Sequence, residues 1–261
     1  MISPYQILRV WFSLGVILLF VTGAPAQTTN GLSDAEIQGQ KLVQDILQGT
    51  PTENLKQAGT LIIRDSKGNR ASVPVNFTTV ITNGYWEVCY LADPTNNYYS
   101  TIILTIRHQG EQPNKYMLCQ IKDDRQNIVD SFPVAHLAAS EIMVPFAGSD
   151  FWIADLGLEF FHWPQQKVLK HESRRTRECT VLESTNSNPS PGAYSRVVSW
   201  IDNESHGIVH ADAYDVNNKL LKKFDPKSFK KVNGQWELQD MEIRNVQTGS
   251  LTRIRFDLSA K

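Results

Sequence analysis

The stretch from residue 194 to 258 constrains the fold more than any other, because it reads as consecutive antiparallel strands with the turns written between them. Residues 196–202 lead through Asn203-Glu204-Ser205-His206-Gly207 into 208–216, and Asn217-Asn218 returns the chain into 219–224. Residues 229–232 meet 235–237 across Asn233-Gly234, a pair whose tolerance of positive φ suits a two-residue hairpin. Residues 241–245 turn at Gln247-Thr248-Gly249-Ser250 into 251–258, where Ile254, Phe256 and Leu258 alternate with Arg253, Arg255 and Asp257. A period of two marks a half-buried strand.

The first half repeats the pattern. Residues 60–64 turn at 65–69, and Val73, Val75, Phe77, Thr79 and Ile81 then line one side of a strand. Asn83-Gly84 makes a hairpin into 85–91. Residues 98–108 carry Ile102, Leu104 and Ile106 on one face, and 115–122 follow. No helical period separates these strands, which argues against parallel βαβ units. Residues 166–184 read as one long strand or a strand pair with a charged first half. About eleven strands in one sheet would curl strongly. One helix precedes them. Ser33 and Glu36 make a capping box, Ala35, Gly39, Leu42, Val43 and Ile46 share a face, and Gly49 and Pro51 stop it. That stripe is expected to cover one face of the sheet, with Gly39 permitting a close approach. The expected architecture is mainly β with helices (α+β): a curved antiparallel sheet forming an incomplete barrel, closed by short helices over an apolar cavity, as a single domain over 27–261.

The middle of the chain breaks the strand pattern. Residues 133–143 are mildly helical in composition. Residues 151–163 then read as a short aromatic helix, capped by Ser149 or Asp150 and ended by Pro164. On a helical wheel Trp152, Ile153, Leu156, Phe160 and Trp163 form one stripe, while Phe151, Leu158 and Phe161 lie on another side. A helix apolar on two sides is either a core plug or a lid facing an apolar ligand. The stripe residues are the candidate ligand-binding set, as lid or cavity lining.

Composition narrows the function. The formal charge of −1 gives no electrostatic case for nucleic acid. Arg9, the apolar run 10–21 and Ala24-Pro25-Ala26 read as a secretory signal peptide over residues 1–26, cleaved near Ala26. The run is shorter than the ~20 apolar residues of a spanning helix. Three cysteines, Cys89, Cys119 and Cys179, are not a disulfide framework. Cys89 and Cys119 fall two strands apart, which leaves buried free thiols as the expectation. No nucleophile elbow or phosphate-binding loop is present. His206 and His210 fall on a turn and strand, where four residues span about 13 Å, and no Cys or His pair has zinc spacing. The expectation is no catalytic residue, no metal and no cofactor. A triad assembled from distant strands is the route by which the chain would be an enzyme.

Several segments carry a family resemblance. Trp200-Ile201-Asp202, Ala213-Tyr214-Asp215, Lys219-Leu220-Leu221-Lys222, Trp236, Met241-Glu242-Ile243 and Asn245-Val246-Gln247-Thr248-Gly249-Ser250 resemble the outer-membrane lipoprotein-sorting proteins related to the carrier LolA. Gly148-Ser149-Asp150-Phe151 followed by Asp155-Leu156 is similar to that family's Gly-Ser/Thr-Asp-Phe-Ser-x-Glu-Asp-Leu, with Trp152 and Ala154 departing from it. Arg177-Glu178-Cys179-Thr180-Val181-Leu182-Glu183 also matches. The resemblance implies a LolA/LolB-like half-barrel with a helical lid in the periplasm of a diderm bacterium, binding lipid or lipoprotein acyl chains during transfer toward the outer membrane. An inner-membrane donor and an outer-membrane acceptor are the partners it implies, and a monomer is expected. Two rivals stand beside the carrier: a non-lipid envelope binding or scaffold module with a filled interior, and a hydrolase whose site only the fold would assemble.

Overall fold

The structure is a computed structural model that describes residues 31–93, 99–122, 134–232 and 235–258. The expected signal peptide and the Asn233-Gly234 turn lie outside the described residues. The first described element is helix α1 (Asp34–Leu47). Ser33 and Glu36 close the expected capping box: the Ser33 N–H donates to the Glu36 carboxylate at 2.8 Å, and the Glu36 N–H to the Ser33 hydroxyl at 3.4 Å. Strands β1 (Leu55–Arg64), β2 (Arg70–Thr82), β3 (Tyr85–Ala92), β4 (Tyr99–Gln109), β5 (Gln112–Lys122) and β6 (Val134–Leu137) follow. After a one-turn helix α2 (Ile153–Leu156) and a 3₁₀ turn (Glu159–His162) come β7 (Gln165–Arg174) and β8 (Arg177–Thr185). The chain ends with β9 (Arg196–Asp202), β10 (Ile208–Tyr214), β11 (Leu220–Val232), β12 (Gln235–Asn245) and β13 (Leu251–Phe256).

All thirteen strands of the described residues belong to one open antiparallel sheet, ordered β6-β5-β4-β3-β2-β1-β13-β12-β11-β10-β9-β8-β7. Each half is a meander, and the pairing of β1 with β13 joins them, with Leu61 opposite Ile254. Residues of β4 and β9 line a common cavity. Those strands are eight places apart in the sheet, about 38 Å if it were flat. The sheet therefore curls into an incomplete barrel with β6 and β7 as its edges.

Two sequence expectations need correction, and one alternative left open, a long strand or a strand pair over 166–184, resolves to the pair. Residues within 133–143 include strand β6 rather than a helix. Residues 220–232 form a single strand, although Pro226 interrupts its pattern. A register shift between Pro226 and Ser228 forms a bulge there, which removes the need for a proline N–H in the ladder. The region 166–184 is a strand pair turning at Arg175 and Thr176, both with positive φ (53° and 62°).

Helix α1 docks on edge strand β7 rather than across a whole sheet face. Gly39 is the contact: a Cβ there would lie 2.6 Å from the carbonyl of Gln166 and the nitrogen of Lys167. Val43 and Ile46 pack with Phe160, Phe161, Trp163 and Leu182. Gln44 and Gln48 reach across to the β4–β5 turn, donating to the Glu111 carboxylate at 2.8 and 3.4 Å. The helix thus bridges one sheet edge to a hairpin of the opposite half. The described cysteines are free; Cys119 and Cys179 are buried and Cys89 half-buried.

Candidate ligand cavity

Residues 145–163 cross the open side of the sheet, and they are not one helix. Trp152 is extended, and its N–H donates to the Asp155 carboxylate at 2.7 Å, starting the single turn α2. Gly157 ends that turn, Leu158 takes φ 50°, and the 3₁₀ turn follows. Gly157 is needed there because a Cβ would lie 2.2 Å from the Tyr116 hydroxyl oxygen.

The break splits the expected aromatic stripe. Trp152 stacks on Tyr194 with ring centroids 4.5 Å apart. Ile153 is buried in the core with Ile142, Phe146 and Leu104. Leu156 and Phe160 face the cavity, as does Leu158 from outside the expected stripe. Trp163 lies behind them, edge-on to Phe160 at 6.4 Å. Ser149 and Asp150 do not cap α2. The Asp150 carboxylate accepts from the Ser250 and Thr252 hydroxyls at 2.5 and 2.9 Å, and the Asp150 N–H donates to Thr252 at 2.8 Å. The Ser149 hydroxyl accepts from the Phe151 N–H at 3.2 Å. Gly148, with φ 71°, completes the turn. Asp150 therefore fastens the start of the lid to Ser250 and to Thr252 of β13, Gly148 and Ser149 shape the turn that presents it, and Phe151 and Asp155 reach the cavity wall.

The cavity has a volume of about 310 Å³. Phe77, Trp86 and Tyr90 line it from one half-sheet, Ala213, Phe224 and Met241 from the other, and Leu156, Leu158 and Phe160 from the lid. Polar side chains in its wall include Gln57, Thr79, His108, Asp155 and Lys222.

Lys222 is the residue that sequence reasoning missed. It points inward from β11 with 3% of its side chain exposed. Its Nζ donates to the Asp150 carbonyl at 2.6 Å and to Asp155 Oδ2 at 3.4 Å, and sits 3.7 Å from the centre of the Trp152 ring. Burial lowers its pKa to about 8, against the pull of Asp155 and Asp150. The Tyr194 hydroxyl donates to the same Asp155 oxygen at 3.2 Å. Burial, reinforced by Asp155, holds that phenol well above its ordinary pKa. The two charges of this group are paired beside aromatic faces.

The other end of the lid is tied down differently. The Tyr90 hydroxyl donates to the Leu156 carbonyl at 3.2 Å, and Asn114 Nδ2 to the Gly157 carbonyl at 2.9 Å. The Tyr116 hydroxyl donates to the Glu159 carboxylate at 2.7 Å. Burial raises the pKa of Glu159, with the bonds from Tyr116 and Asn114 opposing it. His108 stacks on Trp86 with centroids 4.0 Å apart, and burial pushes it down to about 4, so it is neutral at pH 7. Polar bonds thus anchor the lid to both halves of the sheet, with the apolar cavity between the anchors. Among the described residues, no group of three or more His, Cys, Asp or Glu is placed to hold a metal ion.

Comparison with known proteins agrees on the architecture. A family described only as "-like: Uncharacterized protein" matches residues 131–259. No curated protein matches the sequence. Among solved structures, a DUF1329 family protein from Desulfovibrio piger is 18% identical with a TM-score of 0.64, over 87% of this chain and 92% of that one. A domain named for outer-membrane lipoprotein sorting, from Vibrio parahaemolyticus, is 17% identical with a TM-score of 0.64, over 87% and 95%. A LolA superfamily protein from Nitrosomonas europaea is 14% identical with a TM-score of 0.54, over 86% and 92%. The chain shares the LolA-like fold of these proteins across nearly its whole described length.

Proposed function

We propose that this protein is an exported, periplasmic, non-enzymatic carrier that shields lipid or lipoprotein acyl chains in its cavity during transfer toward the outer membrane. The observation that carries the reading is an apolar cavity of about 310 Å³ between a curled sheet and a separately anchored lid. This volume is at the lower end of the ~300–1000 Å³ typical of ligand pockets. A buried chain contributes about 0.8 kcal/mol per CH₂, so chain length can supply the affinity without a charged contact. Solved proteins of the same fold include one named for lipoprotein sorting, which supports the same cargo class. Residues 1–26, read as a signal peptide, are what support export. An inner-membrane donor, an outer-membrane acceptor and a monomeric carrier belong to the same reading. Of the sequence-derived candidates, Leu156 and Phe160 would contact the chain, and Trp152, Ile153 and Trp163 would hold the lid from behind.

The test is displacement of a fluorescent fatty-acid probe. Leu156 is only partly buried, so Leu156→Asp should fold while placing a carboxylate in the cavity wall. The expected result is probe binding by the wild type and at least tenfold weaker binding by the variant, with similar thermal melts. Equal binding by both folded proteins would place the acyl site elsewhere.

A further inference from the structure

The ligand cavity has a closed end and an open one. Across β10 and β11, Ala213 pairs with Lys222 and Ala211 with Phe224. Ala213 also pairs with Val197 of β9. Lys222, Ala213, Val197 and Tyr194 are all buried and form the floor of the cavity. At the opposite end, Leu55, Trp86, Ile208 and Leu238 are half-buried and form its mouth. Lys222 and Tyr194 spend their donors on Asp150, Asp155 and the face of Trp152, all in the lid. The floor therefore offers no free donor to a head group, so a chain enters methyl end first and leaves its head at the mouth. The space exists because β10 turns Ala211 and Ala213 inward, whereas β11 and β12 present Phe224, Met241 and Ile243 to the same cavity.

Volume limits what fits. A methylene group takes up about as much room as a water molecule in the liquid, roughly 30 Å³. The cavity of about 310 Å³ therefore has room for about ten methylenes. A two-chain lipid with about thirty methylenes would need roughly three times that space by the same measure. We infer that the cavity is built for one acyl chain and that Ala213 and Phe224 set the length it takes, which makes the cargo a single-chain lipid or a singly acylated peptide. Carbons beyond the mouth stay in water and add nothing to affinity, because only apolar surface removed from water contributes. This rests on the acyl-carrier reading and narrows its cargo.

The experiment is displacement of a fluorescent fatty-acid probe by saturated fatty acids of increasing length, from octanoate to stearate. Affinity should rise about fourfold per added methylene. The rise should stop at about ten to twelve carbons, where the cavity is full. Native mass spectrometry should show one chain per protein. Phe224 is only partly buried, so Phe224→Ala should fold, and loss of the ring should move the break about four carbons longer. Ala213→Leu adds bulk at the floor and should move it about three carbons shorter. Affinity that climbs without a break to stearate, two or more chains per protein, or a break that stays in place in both folded variants would overturn the inference. Failure of every fatty acid to bind would instead overturn the carrier reading itself.

Discussion

Lys222 carries a charge into a wall otherwise built mainly of aromatic and aliphatic side chains, and its energetics can be read from its surroundings. Its pKa falls from 10.5 to about 8 because burial outweighs the attraction of Asp155 and Asp150. Between those two values the unfolded chain binds a proton that the folded protein does not. Stability therefore rises with pH through that window, and the cost of the buried ammonium is present in full below pH 8. Relative to Lys222→Met, the wild type should gain about 1 kcal/mol of unfolding free energy between pH 7 and 9, measured by urea titration. A pH-independent difference would mean that the ion pair fully compensates burial. The sequence held a signal for this residue. In the period-two pattern of 220–224, Lys222 shares a side with Leu220 and Phe224, so a lysine stands in an apolar register. What the pattern could not show was its partner, since Asp155 is 67 residues away in sequence. Asp150 and Asp155 were visible as a motif. Their work as fasteners, to β13 and to Lys222 with Tyr194, became legible only once distant strands were side by side.

At the scale of elements, α1 and the lid close an otherwise open sheet, and each depends on a glycine for close approach. Helix α1 was readable down to its capping box because the determinants are local: Ser33, Glu36 and a 3.6-residue stripe. Alanine is a better helix former than glycine by up to about 1 kcal/mol. Gly39→Ala should nonetheless destabilise the protein, by about 1–3 kcal/mol, because its Cβ would press on the backbone of Gln166 and Lys167. Chemical denaturation decides it, and a stabilised variant would show that α1 does not sit tight on β7. The lid was misread as one helix because its apolar residues satisfy a helical wheel. Gly157 and the left-handed Leu158 break it, under the demand that Tyr116 pass close beneath. The edge strand β6 was missed for the opposite reason: it is short and largely exposed, without an apolar alternation to reveal it.

For the whole molecule, the antiparallel class followed from the turns, and the curl from the number of strands. The pairing of β1 with β13 brings the two meanders together, and curling then sets β4 and β9 around one cavity. A filled interior would have left no such space. The cavity's wall is drawn from nine strands spread over the chain, so no local stretch of sequence could announce it. A carrier of this design must hold acyl chains in this space in the cell. Native mass spectrometry of the protein purified from its host without detergent, followed by organic extraction, is the test. The expected result is a bound mass that extraction resolves into lipid or acylated peptide. An unliganded mass, together with failure of the same protein to take up a fluorescent fatty acid, would contradict the carrier.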